Sequence, residues 1–170
     1  PLKYLAAVGL FGVYIPEEYG GLGYGSFENC LAIEEISRAC IGVSVSFAAS
    51  GLGSYPLLLF GSEEQKKKYL PDVASGGKLA AFGLTEAGAG SDAGGIRTTA
   101  KRDGNDYILN GTKQWITNGG EAEIYSVIAL TDKAKGPRGA SAFILEKDMP
   151  GFTFGKKEKK LGIRCSATRE

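Results

Sequence analysis

The first part of the chain spaces its apolar residues as helices do. Three or four positions separate successive apolar residues, the period of one helix face. The positions that define the first two helices are Leu2, Leu5, Ala6 and Gly9, then Phe27, Cys30, Leu31, Ile36 and Cys40. Ser26 is placed to cap the second helix, and a third helix is predicted over 43–60. A fourth begins at the capping box formed by Ser62 and Gln65, and we expect Pro71 to break or kink it.

From residue 79 the apolar period becomes two, which is the period of β-strands. Asn110-Gly111 lies between two such stretches and predicts a two-residue type I′ hairpin, because that turn needs positive φ at both positions. The predicted strands lie at 98–103, 107–109, 114–116, 124–131, 140–146 and 152–154.

Helices therefore precede strands instead of alternating with them, which disfavours a Rossmann unit. The pattern predicts an α+β fold in two domains. An all-α N-terminal helical domain occupies residues 1–78, and an antiparallel β domain occupies residues 79–170.

Composition narrows the function classes. The chain has 20 basic and 19 acidic side chains, a net charge of +1, so nucleic acid or an anionic membrane is not an expected main partner. Cys30, Cys40 and Cys165 have no CxxC spacing and histidine is absent, so we expect neither a disulfide framework nor a metal site. We expect no membrane span, since the apolar run 55–60 is short and contains a proline, and no signal peptide is visible.

The glycine-rich loop at 83–95 is the strongest candidate for chemistry. Glycine lets a ligand approach the main chain, and successive N–H groups can form a concavity for anionic oxygens. This favours phosphate or flavin binding, and the alternative is a plain connection rich in turn residues.

A second element, Asn110-Gly111-Thr112-Lys113-Gln114-Trp115-Ile116-Thr117-Asn118, follows the loop. Loop and element together resemble two motifs of the acyl-CoA dehydrogenases. The similarity continues through 61–66 and 161–168 and so covers nearly the whole chain. One departure is Ala87, where that family often has proline.

The resemblance implies a helical N-terminal domain, a β-barrel middle domain and a C-terminal four-helix bundle, of which this chain carries only the first two. It implies FAD-dependent α,β-dehydrogenation of acyl-CoA thioesters, with electrons passed to an electron-transfer flavoprotein. Residues 131–136 and 154–158 look most like the short-chain, butyryl-CoA type. A homotetramer is also implied, in the bacterial cytoplasm or, for a eukaryote, the mitochondrial matrix.

Site residues carried over from the resemblance fall in the two motifs. The cofactor-binding residues implied are Phe82, Leu84, Thr85, Gly90, Ser91, Trp115, Ile116 and Thr117. The backbone near Leu84 and the hydroxyl of Thr85 would bond the flavin pyrimidine edge, Trp115 would flank the ring, and the hydroxyl of Thr117 would reach N5 and O4. Ser91 would also contact acyl-CoA.

Three of these positions have a structural alternative: Thr85 as a strand end, Ser91 as a turn serine and Trp115 as a core residue. Glu86 and Asp92 are interpreted as structural, with their carboxylates accepting hydrogen bonds from loop N–H groups. Arg164 either pairs with one of them or faces a phosphate. No catalytic residue is expected in this chain, because the base of the resembled family lies in its C-terminal bundle.

Two further classes stay open. One is a related flavoenzyme, an acyl-CoA oxidase or a flavin monooxygenase, which oxygen reactivity of the reduced holoenzyme would distinguish. The other is a non-catalytic nucleotide-binding or assembly module, which the absence of bound flavin in a longer chain would favour.

Overall fold

The computed structural model describes all residues from Pro1 to Glu170. Its N-terminal part is helical, and two short 3₁₀ turns at Leu10–Gly12 and Glu17–Tyr19 connect the first two helices. The helices are α1 (Leu2–Ala7), α2 (Ser26–Phe60) and α3 (Glu63–Ala74). The predicted order of helices before strands is confirmed.

Helix α2 joins the two helices that the sequence predicts separately. Its backbone leaves the helical region at Cys40, with φ of −160° and ψ of 106°, so the helix is kinked there. The N-cap is Gly25 and not Ser26, because the carboxylate of Glu28 reaches back to accept from the Gly25 N–H at 2.8 Å.

Helix α3 begins as predicted. The Ser62 N–H donates to Gln65 Oε1 at 2.9 Å and the Gln65 N–H donates to Ser62 Oγ at 3.3 Å, which confirms the capping box. Pro71 does not end the helix, which runs on to Ala74. The Pro71 nitrogen carries no hydrogen, so the helix lacks the one bond that it would have donated, and only three further residues follow before α3 ends.

The C-terminal part is a five-stranded sheet and a separate strand pair. Strand β5 is central: it pairs parallel with β1 along one edge and antiparallel with β6 along the other. The strands are β1 (Ala80–Gly83), β2 (Thr99–Asp103), β3 (Asp106–Asn110), β4 (Ile116–Thr117), β5 (Ile124–Leu130), β6 (Ala140–Glu146) and β7 (Thr168–Arg169). Thr99 of β2 pairs parallel with Leu130 of β5, β3 pairs antiparallel with β2, and β4 pairs with β7.

The sheet is therefore mixed, not purely antiparallel, and its strands form no closed barrel. A period of two gives the faces of a strand but not its direction. The long connection from β1 to β5 carries the glycine-rich loop and the β2–β3 hairpin, and it brings β5 back parallel to β1, as crossover connections do.

Asn110-Gly111 does not form the predicted hairpin. The turn lies instead at Gly104, where φ is 60°, between β2 and β3. Gly111 serves a close approach, since a Cβ there would lie 2.3 Å from Thr98 Oγ1. Glycine is thus required at position 111 by its close approach to Thr98, the residue directly before β2.

The predicted strand at 152–154 is also absent. Phe152 and Phe154 instead pack their rings on Tyr125, with centroids 4.9 Å and 5.5 Å away. Their alternating burial comes from this aromatic cluster and not from strand pairing.

Small residues bring α2 close to β1 and to the neighbouring β5. The Gly53 carbonyl accepts from Ser126 Oγ at 2.6 Å, and Ser50 Oγ accepts from the Ala80 N–H at 3.3 Å. By length and composition α2 could also cross a membrane, but 50% of its most apolar window is buried in this fold. A core helix meets the same criteria of length and composition, and in this fold α2 packs on the sheet.

Two glycines of α2 give a matched test of this contact. A Cβ at Gly53 would lie 2.5 Å from the Ala81 nitrogen, whereas a Cβ at Gly51 would meet ring atoms of Tyr14 and Tyr55 at an ordinary 3.6 Å and 3.8 Å. We expect Gly53→Ala to lower the free energy of unfolding by about 1–3 kcal/mol through overpacking. Gly51→Ala should leave it unchanged or raise it by up to about 1 kcal/mol through helix propensity. Urea unfolding measures both, and equal shifts would contradict the close approach.

Candidate functional site

The glycine-rich loop leaves the end of β1 and is closed by a tight turn. The backbone groups of Glu86 and Ala89 exchange two hydrogen bonds, each of 3.0 Å. The Ala89 side chain is buried with Ile96 and Leu130, and Leu84 packs against the same cluster. The first half of the loop is therefore fixed to the sheet.

A buried ion pair joins the loop to the second motif. Glu86 Oε1 accepts from Lys113 Nζ at 2.6 Å, and the same ammonium group donates to the Leu84 carbonyl at 3.0 Å. The Glu86 carboxylate also accepts from the N–H groups of Arg97 at 2.6 Å and Thr98 at 3.0 Å. The side chains of Glu86 and Lys113 are each only 10% exposed. The structural interpretation of Glu86 is confirmed.

These contacts also set the protonation state of Glu86. Burial opposes the charge, but the hydrogen bonds from Lys113, Thr98 and Arg97 outweigh it and lower the pKa of the Glu86 carboxyl to about 2. The group is ionised and fully engaged at neutral pH, so it is unsuited to take a proton from a substrate.

Trp115 stands next to the loop because the Gln114 N–H donates to the Thr85 carbonyl at 2.8 Å. Its φ of 59° lies in the left-handed region, which is rare for a bulky residue. The indole is 57% exposed, whereas the following Ile116 is buried. Trp115 is thus neither a core residue nor a regular strand residue.

Two threonines lie close to Trp115 along the backbone: Thr117 two residues on, and Thr85 through the bond of its carbonyl to the Gln114 N–H. Both are half-buried, and neither side-chain hydroxyl hydrogen-bonds to another group of the protein. Phe82 is also half-buried, on β1 just before the loop. The structure brings one segment of each motif together: Leu84 and Thr85 from the first, and Trp115, Ile116 and Thr117 from the second.

Gly90 and Ser91 lie farther out on the loop. Both are exposed, and a Cβ at Gly90 would meet open space. No hydrogen bond joins them to the Trp115 segment. They border open surface beyond the Glu86–Ala89 turn.

Asp92 differs from its interpretation. Its side chain is exposed and makes no hydrogen bond, so it does not fix loop N–H groups as Glu86 does. Arg164 pairs with neither Glu86 nor Asp92, and its Nε donates to the Lys160 carbonyl at 3.2 Å. That Arg164 faces a phosphate stays a prediction.

The sequence analysis gave no role to Lys113 or Asn118. Asn118 is buried, has a φ of 63°, and donates from Nδ2 to the carbonyls of Ser46 at 2.9 Å and Ala80 at 3.3 Å. It thereby ties α2, β1 and the Trp115 segment together. A signal for Lys113 was present, since it is the single charged residue of the second motif and the first motif carries only the acidic residues Glu86 and Asp92.

A flat heteroaromatic group with a hydrogen-bonding edge fits this arrangement. The exposed indole offers a stacking surface, and the hydroxyls of Thr85 and Thr117 offer donors and acceptors that the protein leaves unused. Backbone strain of the Trp115 kind persists where surrounding contacts impose it, commonly at ligand sites. The described residues therefore suit a flavin ring.

The lowered pKa of Glu86 predicts how the stability of the fold depends on pH. A folded pKa of about 2, against the ordinary 4.5, gives stability that is complete above pH 4.5 and lost as the pH falls through 2. We expect this group to account for about 3 kcal/mol of unfolding free energy lost over that range. Glu86→Gln should remove this contribution and leave the smaller ones of Glu63, Asp132 and Glu146, whose pKa values are also lowered, whereas Asp92→Asn on the same loop should preserve the full dependence. Urea unfolding between pH 5 and 2 tests this, and identical profiles for wild type and Glu86→Gln would refute it.

Comparison with known proteins identifies the same two parts. The N-terminal domain model of the acyl-CoA dehydrogenases matches residues 1–77, and the middle domain model matches residues 81–170. An acyl-CoA dehydrogenase of Bacillus subtilis is 53% identical over 171 residues, which cover 99% of this chain and 45% of that protein.

Solved structures agree with the fold. Butyryl-CoA dehydrogenase from Megasphaera elsdenii superposes with a TM-score of 0.94 at 46% identity, over 99% of this chain and 45% of that one. An acyl-CoA dehydrogenase from Bacillus anthracis complexed with FAD gives a TM-score of 0.90 at 49% identity, over 99% of this chain and 28% of that one. The chain thus spans less than half the length of these relatives. With the middle domain model alone matching more than half of its residues, the chain belongs to the acyl-CoA dehydrogenase family.

Proposed function

We propose that the protein is an FAD-dependent dehydrogenase that introduces a double bond between the α and β carbons of acyl-CoA thioesters. The observation that carries the proposal is the exposed Trp115, held at a left-handed φ beside the unpaired hydroxyls of Thr85 and Thr117. A relative with the same fold, the Bacillus anthracis acyl-CoA dehydrogenase, was solved with FAD.

The residues that would hold FAD come from both motifs. The Trp115 indole would flank the ring, while the hydroxyl of Thr85 and the backbone of Leu84 would bond its pyrimidine edge. The hydroxyl of Thr117 would bond the redox edge. FAD, when bound, supplies the acceptor for the hydride that leaves the β carbon. The contact set is completed by Phe82, Ile116, Gly90 and Ser91.

Acyl-CoA would approach over the outer part of the loop. The exposed hydroxyl of Ser91 can donate to the substrate, and Gly90 places no side chain in its path. The Glu86–Lys113 pair holds this loop in position from beneath without contacting the substrate.

The base that removes the α proton is proposed to come from the longer protein. Among the residues described, Glu86 is committed to Lys113 and two backbone N–H groups. Asp92 is exposed on the loop, where water solvates its charge. Neither provides a desolvated base directed at a bound thioester.

The proposal also covers the length of the acyl chain, the electron acceptor and the assembly. The similarity of 131–136 and 154–158 to the short-chain type, together with a butyryl-CoA dehydrogenase among the relatives, supports a short-chain substrate. Because reduced FAD must be reoxidised, we propose an electron-transfer flavoprotein as acceptor, and a homotetramer as the assembly. A reduced holoenzyme that reacted directly with oxygen would indicate an oxidase instead.

Trp115 provides the test of the cofactor site. If its indole flanks the flavin, its fluorescence is quenched when the full-length apoprotein is reconstituted with FAD. The contribution of Trp115 is the difference in emission between wild type and Trp115→Phe, measured in apo and holo forms. An equal contribution in both forms would place Trp115 away from the flavin.

If the base that removes the α proton lies outside residues 1–170, these residues alone should be inactive. Residues 1–170 alone should retain little FAD, because a cofactor is held by burial of most of its surface. They should give no butyryl-CoA-dependent reduction of an artificial electron acceptor, whereas the full-length protein should give both. Turnover by residues 1–170 would contradict this, and Glu86→Gln in that chain would then identify the base.

A further inference from the structure

Two cysteines that are far apart in the sequence lie at the contact between α2 and the turn at 163–166. Cys40 lies at the kink of α2, two residues before Gly42, and Cys165 is among the groups that lower the pKa of its thiol. The backbone of Gly42 approaches Cys165 so closely that a Cβ at Gly42 would lie 2.8 Å from Cys165 Cβ. The contact joins the helical part of the chain to its last turn.

The turn that presents Cys165 is itself strained. Ile163 has a φ of 55°, which a β-branched side chain rarely adopts, and the Ser166 N–H closes the turn on the Ile163 carbonyl at 3.1 Å. Such a conformation persists only where neighbouring contacts impose it. The packing of Cys165 on Gly42 is one of these contacts.

The kink gives Cys40 the character of a reactive thiol. Cys40 stands at the start of the second segment of α2, where the backbone N–H groups of a first helical turn favour negative charge. The backbone N–H of Val43, opposed by burial and assisted by Gly42 and Cys165, lowers the pKa of the Cys40 thiol. The thiolate, which is the nucleophilic form, is thereby favoured.

We propose that Cys40 and Cys165 form a redox-sensitive pair that closes to a disulfide when the protein meets a hydroperoxide. Neither cysteine is in a disulfide in the structure, and Cys165 is exposed. Disulfides of this kind are uncommon as permanent links in reducing compartments, where they act as transient sensors.

The chemistry balances with hydrogen peroxide as oxidant. The Cys40 thiolate attacks one peroxide oxygen, so an S–O bond forms and the O–O bond breaks, leaving a sulfenic acid and hydroxide. The Cys165 thiolate then attacks the Cys40 sulfur, and an S–S bond forms as the S–O bond breaks. Both hydroxides take up the thiol protons, so two thiols and one peroxide give one disulfide and two waters.

The disulfide would brace the segment that carries Trp115. Beyond Cys165, the Ala167 carbonyl accepts from the Asn118 N–H at 3.0 Å and Thr168 pairs with Thr117. Beyond Cys40, the Ser46 carbonyl accepts from the Asn118 amide at 2.9 Å. Each cysteine is therefore only a few residues from a contact with β4 or with Asn118, the residue directly after β4.

The test treats the full-length holoprotein with a small molar excess of hydrogen peroxide and then alkylates the remaining free thiols. The protein is digested with trypsin without reduction, and the peptides are analysed by mass spectrometry. We expect the peptides 39–66 and 165–169 to appear as one cross-linked species, whose mass is two hydrogens below the sum of the two peptides and which dithiothreitol separates. Cys40→Ser and Cys165→Ser should abolish it, and Cys30→Ser, at an exposed cysteine on the same helix, should not. Separate alkylated peptides after oxidation, or linkage of Cys40 to another cysteine, would overturn the proposal.

Two further readouts separate a reactive pair from mere proximity. In Cys165→Ser, dimedone should label Cys40 as a trapped sulfenic acid, and labelling absent there would overturn the order of attack. In wild type, oxidation should raise Tm by about 5 °C or more, reversibly with dithiothreitol, because the bond closes a long loop. An unchanged Tm in a fully cross-linked sample would overturn the bracing of β4.

Discussion

The buried pair of Glu86 and Lys113 is the constraint on which the site depends. Glycine-rich loops have many conformations to lose on folding, so a single arrangement requires strong local contacts. Here one carboxylate accepts from Lys113 and from the N–H groups of Arg97 and Thr98, and the ammonium also reaches the Leu84 carbonyl. One ion pair thus fixes the start of the loop, its end and the segment before Trp115.

A second set of contacts fixes the Trp115 segment relative to α2 and β1. Asn118 donates to carbonyls of α2 and β1, and Gly53 lets α2 lie directly on β1. Because Asn118 follows Thr117, the position of the helix is transmitted to the strand that carries the free hydroxyl. The helical part therefore contributes to the site without placing a side chain in it.

The sequence predicts local features well and long-range pairing poorly. The capping box at Ser62 and the strands near 124–131 and 140–146 follow from nearest-neighbour chemistry and period, and the structure has them. The parallel pairing of β1 with β5 and the role of Gly111 depend on residues distant in the chain, which no local pattern encodes. The left-handed φ of Trp115 and the approach of Cys165 to Gly42, beside the kink at Cys40, likewise appear only in three dimensions.

We infer that the Glu86–Lys113 pair organises the proposed flavin site as one unit. A double-mutant cycle of Glu86→Gln and Lys113→Met in the full-length protein, read out as FAD affinity, tests it most directly. We predict that each single variant weakens FAD binding about tenfold or more, and that the double variant is little weaker than either one, a coupling of at least about 1.4 kcal/mol. Losses that simply multiply in the double variant would contradict the account.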